Sequence, residues 1–158
     1  MQKVMITSEE CGIIINGIKN HQGTTIYDTD DRVYEEWLIL DKSILNLVLE
    51  KLKIFGVEKI KEGRVLSYVK DGYFDEHTDT YEKYPHRYKT VIIQLSDKDA
   101  YKGGTMTFGD QILNKEIGNT AIFIGTTVHS MKKIEEGIRY AFVIWLERSD
   151  FGLKKALL

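Results

Sequence analysis

The sequence predicts a mainly β fold with N-terminal helices, and a jelly roll is the expected architecture. Three observations support this: two helical patterns near the start, a series of short β-rich runs after them, and turn residues between those runs. Two helices followed by six or more short strands are typical of a double-sheet jelly roll packed on its helices. The strand spacing alone would also fit an immunoglobulin-like sandwich, so the choice rests on the chemistry of the chain.

The two helices are predicted in the N-terminal part of the chain, which we expect to extend over about 1–56. Thr7 and Glu10 have the spacing of a capping box, which predicts a helix start and a short helix after it. Asp41 or Ser43 is expected to cap the second helix, because apolar residues then recur at helical spacing.

The remaining chain, about 57–148, has the short runs and Gly-containing turn signals of a β-rich core. With one strand between the helices included, the predicted strands are 33–40, 64–69, 74–80, 89–95, 105–108, 120–125 and 139–147. We expect the 158 residues to form one domain, because a chain of this length can bury a sufficient core without a staple.

Composition and charge argue against several classes of protein. The formal net charge is −2, from 22 basic and 24 acidic side chains, so nucleic acid is not an expected partner. Cys11 is the single cysteine, which excludes an internal disulfide framework and disfavours a cysteine-based zinc site. No apolar run reaches the roughly 18 residues of a membrane span, and the first residues lack a secretory signal pattern. We therefore expect no membrane partner and a cytoplasmic location, in a microbe or in the host cell of a virus.

Histidine is scarce, and three side chains form a candidate metal site. His77 and Asp79 are two positions apart, and side chains at that spacing on a strand point to the same face. His129 follows an apolar run and is expected at the end of a later strand. Two imidazoles and one carboxylate with open coordination positions are typical of non-haem Fe(II) oxygenases. The pair His77 and Asp79 alone is a weak signal, since a surface turn gives the same pattern; His21 and His86 are expected at the surface.

Arg139 strengthens this interpretation, because it begins a strand that is apolar on both faces and therefore expected to be buried. A buried guanidinium needs an anionic partner, and a ligand carboxylate can serve. The alternative is an exposed position at the mouth of the strand. Alternation places Arg139, Ala141, Val143 and Trp145 on one face. Trp145 is then either a wall of a substrate pocket or an ordinary core residue.

Several short segments occur in an order that indicates a family. They are Tyr68 to Asp79, with the pattern Tyr…Gly…Phe…His-x-Asp; the Thr-led strand from Thr90; the Gly-Gly-x-x-x-Phe segment 103–108; the segment 118–123 before His129; and the segment 137–140 around Arg139. Over about 64–146 the chain thus resembles the 2-oxoglutarate- and Fe(II)-dependent dioxygenases, most closely their prolyl 4-hydroxylase-like branch.

The resemblance implies that the single domain is a double-stranded β-helix, the jelly roll of this superfamily. It implies Fe(II) and the cosubstrate 2-oxoglutarate, and it admits L-ascorbate as a further cofactor. The residues implied in binding are His77, Asp79 and His129 for the metal, and Arg139, Tyr68 and Thr90 for the cosubstrate. Gln94 departs from the pattern, because relatives often have Tyr there, and this bears on the substrate contacts.

The function expected from the resemblance is hydroxylation of a prolyl residue in a peptide or protein, with release of succinate and CO2. A lysyl residue, a free amino acid or another small molecule are alternative substrates. A non-catalytic jelly-roll binding module and a zinc hydrolase on the same three ligands are alternative functions. Trp145 is the candidate substrate-binding residue.

Overall fold

Two α-helices and thirteen strands make up the described part of the chain, residues 1–19 and 24–152 of the computed structural model. The helices are α1 (Ser8–Asn16) and α2 (Lys42–Leu52). The strands are β1 (Gln2–Val4), β2 (Thr25–Asp28), β3 (Arg32–Ile39), β4 (Gly63–Tyr68), β5 (Tyr73–His77), β6 (Lys89–Gln94), β7 (Tyr101–Gly103), β8 (Met106–Phe108), β9 (Gln111–Ile112), β10 (Asn119–Ile124), β11 (His129–Met131), β12 (Ile134–Gly137) and β13 (Arg139–Leu146). Neither described helix has the length and apolar character needed to cross a bilayer.

Both helices begin at residues that the sequence predicts as caps. The hydroxyl of Thr7 accepts a hydrogen bond from the Glu10 backbone, and the Glu10 carboxylate accepts one from the Thr7 backbone, so the capping box is confirmed. Of the two candidates for the second cap, Asp41 is the residue that caps α2, because its carboxylate accepts from the backbone N–H of Ser43 and of the next residue.

One curled antiparallel sheet carries eleven of the described strands. Its order is β1-β10-β6-β13-β4-β3-β5-β11-β8-β9, with β2 paired to β3, while β7 and β12 form a separate two-stranded sheet. The predicted jelly roll is confirmed, and the immunoglobulin-like alternative is wrong. The N-terminal part is not only helical, since β1, β2 and β3 all join the main sheet. The sheet thus crosses the boundary expected near residue 56.

The strands that the sequence misses are the short ones. Six of them, β1, β2, β7, β9, β11 and β12, have two to four residues each, which is too short for an alternating pattern to stand out. The predicted strands match observed ones within three residues at each end. The largest difference is at β5, which ends at His77 and not at Thr80.

Buried apolar side chains form two clusters on opposite faces of the sheet, and β13 shows the division. Phe142, Ile144 and Leu146 pack with buried residues of α1 and α2. Ala141 and Val143 point the other way, into the second cluster. The helices therefore cover one face of the sheet, and the opposite face is left to line a cavity inside the roll.

His86 is exposed, as expected, whereas His21 lies outside the described residues. Cys11 is fully buried, and burial raises the pKa of its thiol to about 11, in agreement with its expected role as a small core residue.

The substitution Phe142→Ala tests the cluster between sheet and helices. Phe142 is 0% exposed, so the change should lower the free energy of unfolding by about 3–5 kcal/mol through lost burial and a cavity. Urea denaturation followed by circular dichroism measures it. Ile26→Ala is the control, because Ile26 is 68% exposed and its loss should change stability by less than about 0.5 kcal/mol. Equal effects of the two changes would contradict this description of the core.

Candidate metal centre and its cavity

The pairing of β5 with β11 brings two histidines together. His77 and His129 are direct cross-strand partners, and their ring centroids lie 4.1 Å apart. Asp79 is not on the strand, as the sequence had suggested, but two residues beyond its end. The backbone N–H groups of Asp79 and Thr80 donate to the Gly125 carbonyl, which fixes the segment against the end of β10. The turn, rather than strand alternation, places the carboxylate beside the imidazoles.

The three side chains converge on one point. Asp79 Oδ1 lies 3.5 Å from His77 Nε2 and 3.4 Å from His129 Nε2. One ligand atom from each residue lies within 4.8 Å of the other two. Two imidazole nitrogens and one carboxylate oxygen match the facial triad of non-haem iron sites, in which three protein ligands leave the other positions open. The described residues therefore fit an Fe(II) ion, which two imidazole nitrogens and one carboxylate oxygen would hold.

Each imidazole is held by its other ring nitrogen. His77 Nδ1 lies 2.7 Å from the Asp75 carbonyl, and His129 Nδ1 lies 2.9 Å from the Thr127 carbonyl. A carbonyl can only accept, so both Nδ1 atoms donate and both Nε2 atoms face the metal position. This arrangement orients both rings before any ion binds.

A β-bulge in β5 adds a further support to His77. Two steps along β11, from His129 to Met131, correspond to three steps along β5, from His77 to Phe74, so the register shifts by one. Residues three apart on a regular strand point to opposite faces, but the bulge brings Phe74 to the same side as His77. Their rings stack with centroids 3.5 Å apart.

Asp79 is 5% exposed and is held by Thr90, whose hydroxyl donates to Asp79 Oδ2 at 2.6 Å. Burial by itself raises the pKa of a carboxyl, but the neighbouring His129 and His77 and the Thr90 hydroxyl outweigh it and hold the pKa of Asp79 well below its usual range. The carboxylate is therefore ionised, as a metal ligand must be. A hydrogen bond from Thr90 to the cosubstrate stays a prediction, because the structure gives this hydroxyl a different partner.

Arg139 lies in the same cavity as the metal ligands and is 2% exposed. Its Nε donates to Gln94 Oε1 at 3.0 Å, its Nη1 contacts Met131 Sδ at 3.0 Å, and its Cζ lies 5.5 Å from the centroid of the Tyr68 ring. No acidic side chain among the described residues forms an ion pair with it. The expected alternative, an exposed position at the strand mouth, is therefore wrong. A buried cation without a protein anion fits a cavity built for a ligand carboxylate.

Gln94 positions this guanidinium, a role that sequence reasoning missed. It is 1% exposed, its Oε1 accepts from Arg139, and its Nε2 donates to the Tyr101 hydroxyl at 2.9 Å. A neutral amide can orient a guanidinium without neutralising it. The signal in the sequence was a single amide within an otherwise apolar strand, where a buried polar group needs a partner.

Tyr68 and Trp145 both line the cavity, on the same side as Arg139, Ala141 and Val143. Tyr68 is 4% exposed, and burial raises the pKa of its phenol, so the hydroxyl stays protonated and can donate a hydrogen bond. Trp145 lines both the cavity and a second, outer space, and its buried indole N–H has no hydrogen-bond partner among the described side chains and backbone. Its position as a wall between the two spaces supports the predicted substrate contact over plain core filling.

The outer space, which we call the outer groove, has a volume of about 530 Å3 and opens in front of His77 and Asp79. This volume is in the range of about 300–1,000 Å3 that is typical of ligand sites. Four basic side chains line it, together with three acidic ones that include Asp79; the basic residues are Arg32, Arg64, Lys83 and Arg87.

A jelly roll with this triad beside a buried arginine defines a non-haem Fe(II) oxygenase centre. The family model described as the 2OG-Fe(II) oxygenase superfamily matches residues 63–147, more than half of the chain. The chain belongs to this superfamily, whose cofactors are Fe(II) and 2-oxoglutarate. The described cavity fits both, since it joins a triad for the metal to an unpaired buried cation for the dicarboxylate.

Individual relatives agree with this assignment. A PKHD-type hydroxylase of Prochlorococcus marinus is 30% identical over 115 residues, which are 69% of this chain and 51% of that protein. A prolyl-4-hydroxylase of Pseudomonas putida superposes with a TM-score of 0.74 at 12% identity, covering 93% of this chain and 91% of its own. A prolyl hydroxylase from Trichoplax adhaerens, solved with a hypoxia inducible factor peptide fragment, gives 0.68 at 14% identity and covers 99% and 85%. The chain spans between 31% and 51% of the first curated relatives that it matches.

The hydroxyl of Thr90 should matter for metal affinity. Thr90→Val removes the hydrogen bond to Asp79 and keeps the shape of the side chain, so the dissociation constant for Fe2+ should rise about 10- to 100-fold. Thr90→Ser keeps the hydroxyl and should bind nearly as the parent does. Anaerobic titration calorimetry with Fe2+ measures both, and equal affinity of the two variants would show that the hydroxyl does not support the ligand.

Proposed function

We propose that this protein is a 2-oxoglutarate- and Fe(II)-dependent dioxygenase that hydroxylates a prolyl residue in a peptide or protein, with release of succinate and CO2. The observation that carries the proposal is the shared cavity of the triad and Arg139, in which the buried guanidinium forms no ion pair with an acidic side chain of residues 1–19 or 24–152. Arg139 matches the carboxylate of 2-oxoglutarate that lies remote from its keto group, while the keto acid end would reach the metal.

In this proposal His77, Asp79 and His129 hold the iron. Bound Fe(II) and 2-oxoglutarate together supply the oxidation that inserts oxygen into a substrate C–H bond. The side chains and backbone of the protein orient the metal ligands and the cosubstrate. Thr90 and the two backbone carbonyls orient the ligands, Gln94 orients Arg139, and Tyr68 presents a protonated hydroxyl to the cosubstrate.

The apolar lining of the inner cavity keeps water from the reacting groups. The cavity wall between Arg139 and Trp145 is apolar and buried. It includes Ile92, Ala141 and Val143. Removal of water strengthens the charged contacts of Arg139 and limits side reactions.

The outer groove supports a peptide or protein substrate with a prolyl residue. It opens directly in front of two metal ligands and is partly walled by Trp145, Tyr27 and Tyr84, which suit an apolar ring. The names of the relatives favour prolyl hydroxylation, and the Trichoplax enzyme was solved with a peptide fragment. A lysyl substrate fits less well, because its charge would meet the basic side chains of the groove.

The proposed activity is tested by measuring succinate from 2-oxoglutarate and the gain of one oxygen in a proline-containing peptide library by mass spectrometry. Both should require added Fe2+, and His77→Ala should abolish both because the triad is broken. His86→Ala is the matched control, since His86 is exposed and lies away from the metal ligands. Succinate formation that survives His77→Ala would overturn the site assignment, and oxygenated peptides without proline would overturn the substrate.

The contact between Arg139 and the cosubstrate is tested by Gln94→Glu. The new carboxylate would pair with Arg139 within the cavity and compete with 2-oxoglutarate, so the dissociation constant for 2-oxoglutarate should rise at least about tenfold. Calorimetry on Fe2+-loaded protein without oxygen measures this affinity. Gln111→Glu adds the same charge at an exposed position and should leave it unchanged; an unchanged value in Gln94→Glu would show that Arg139 does not bind the ligand.

A further inference from the structure

Two arginines of the outer groove, Arg32 and Arg87, form no ion pair with any carboxylate among the described residues. Arg32 stacks over Tyr27, with Cζ 4.2 Å from the ring centroid, and its Nη1 donates to the Tyr34 hydroxyl at 3.4 Å. Its Nε is buried and has no hydrogen-bond partner within the described part of the chain. The adjacent Asp31 forms no ion pair with it, and Oδ1 of that carboxylate accepts from the Thr29 hydroxyl. Arg32 thus lines the groove with a guanidinium that no described carboxylate neutralises in an ion pair.

Arg87 is held in a similar way at another point of the groove. Its Cζ lies 3.8 Å from the ring centroid of Tyr84 and 3.8 Å from that of Trp145, so two aromatic rings fix the plane of the guanidinium. Its Nη1 lies 3.5 Å from the backbone carbonyl of Asp79. No acidic side chain in the described residues forms an ion pair with Arg87.

Arg64 shows the contrast, because it lies in the same groove and is fully paired. Its Nε lies 3.3 Å from Glu36 and its Nη1 lies 3.2 Å from Glu62. Arg64 therefore forms ion pairs with Glu36 and Glu62, whereas neither Arg32 nor Arg87 forms one with a described carboxylate.

The two unpaired arginines flank the metal ligands. Arg32 lies 5.4 Å from the centroid of Phe74, the ring that stacks on His77. Arg87 contacts the backbone of Asp79. A substrate that presents its reacting carbon to the triad would therefore pass one arginine on the His77 side and the other on the Asp79 side.

We propose that the substrate carries carboxylates next to the residue that is hydroxylated, and that Arg32 and Arg87 bind them as specificity residues. The inference rests on the proposed function, since it places the substrate in the groove before the triad. The planar guanidinium can meet a carboxylate at two points, and the stacked rings hold it in place before binding. Acidic side chains of a peptide and a free main-chain carboxylate offer the same group.

The test compares end-blocked peptides with one central proline flanked by Glu or by Gln on both sides. Binding is measured by fluorescence anisotropy on protein loaded with Fe2+ and 2-oxoglutarate in the absence of oxygen. The Glu peptide should bind at least about tenfold tighter than the Gln peptide, and added salt should reduce this ratio. A third peptide, with Gln before the proline and a free carboxylate on the proline itself, distinguishes a main-chain source from a side-chain source.

Variants assign the effect to the two arginines. In Arg32→Gln and in Arg87→Gln the ratio of the two affinities should fall toward one. In Lys102→Gln it should keep its parent value, because Lys102 is an exposed cation outside the groove that pairs with Glu136. The ratio compares two ligands on the same protein, so a general loss of folding or of metal affects both and does not mimic the result.

Equal binding of the Glu and Gln peptides to the parent protein, with no gain from the free carboxylate, would overturn the inference. So would a ratio that both arginine variants leave unchanged. Hydroxylation in air is measured separately by mass spectrometry. Preferred binding of a carboxylate peptide without any gain of oxygen would support this inference and contradict prolyl hydroxylation.

Discussion

The pairing of His77 with His129 across β5 and β11 is the constraint on which the site depends. It sets the distance between two imidazoles through backbone hydrogen bonds, which are far stiffer than side-chain contacts. The turn after β5 then places the Asp79 carboxylate beside the two imidazoles. The bulge in β5 adds Phe74 behind His77, so a single irregularity of the sheet both supports a ligand and shapes the start of the outer groove.

The cavity contains two buried charges of opposite sign, Asp79 and Arg139, and their surroundings differ. Asp79 is an anion surrounded by donors, whereas Arg139 is a cation whose hydrogen-bond partners among the described residues, Gln94 and Met131, are neutral. Burying a charge without a counter-ion is unfavourable, and in the proposed function a bound dicarboxylate supplies that counter-ion. The same arrangement extends outward to Arg32 and Arg87, whose guanidinium groups lie over aromatic rings and form no ion pair with a described carboxylate.

The sequence was sufficient for the fold class, for the triad and for the face of β13, because these depend on local patterns and on a specific order of motifs. It did not show how Asp79 reaches the imidazoles, which is through a turn and not through strand alternation. It also did not show the partner of Thr90, which is set by the pairing of distant strands. Gln94 was noted as a departure from the family pattern, but its role in orienting Arg139 follows only from the structure. The outer groove draws on β2, β3 and the segment after β5, and no local pattern predicts that meeting.

The neutral support of Arg139 has a consequence for the end of a catalytic cycle. Succinate keeps the remote carboxylate of the cosubstrate, while the keto acid end has lost CO2 and has become a second carboxylate. On the proposed role, the guanidinium that selects the incoming dicarboxylate also retains the outgoing one, since Gln94 offers it no competing anion. Succinate would then leave slowly and inhibit the enzyme, and the strength of that inhibition would depend on the buried Gln94 amide.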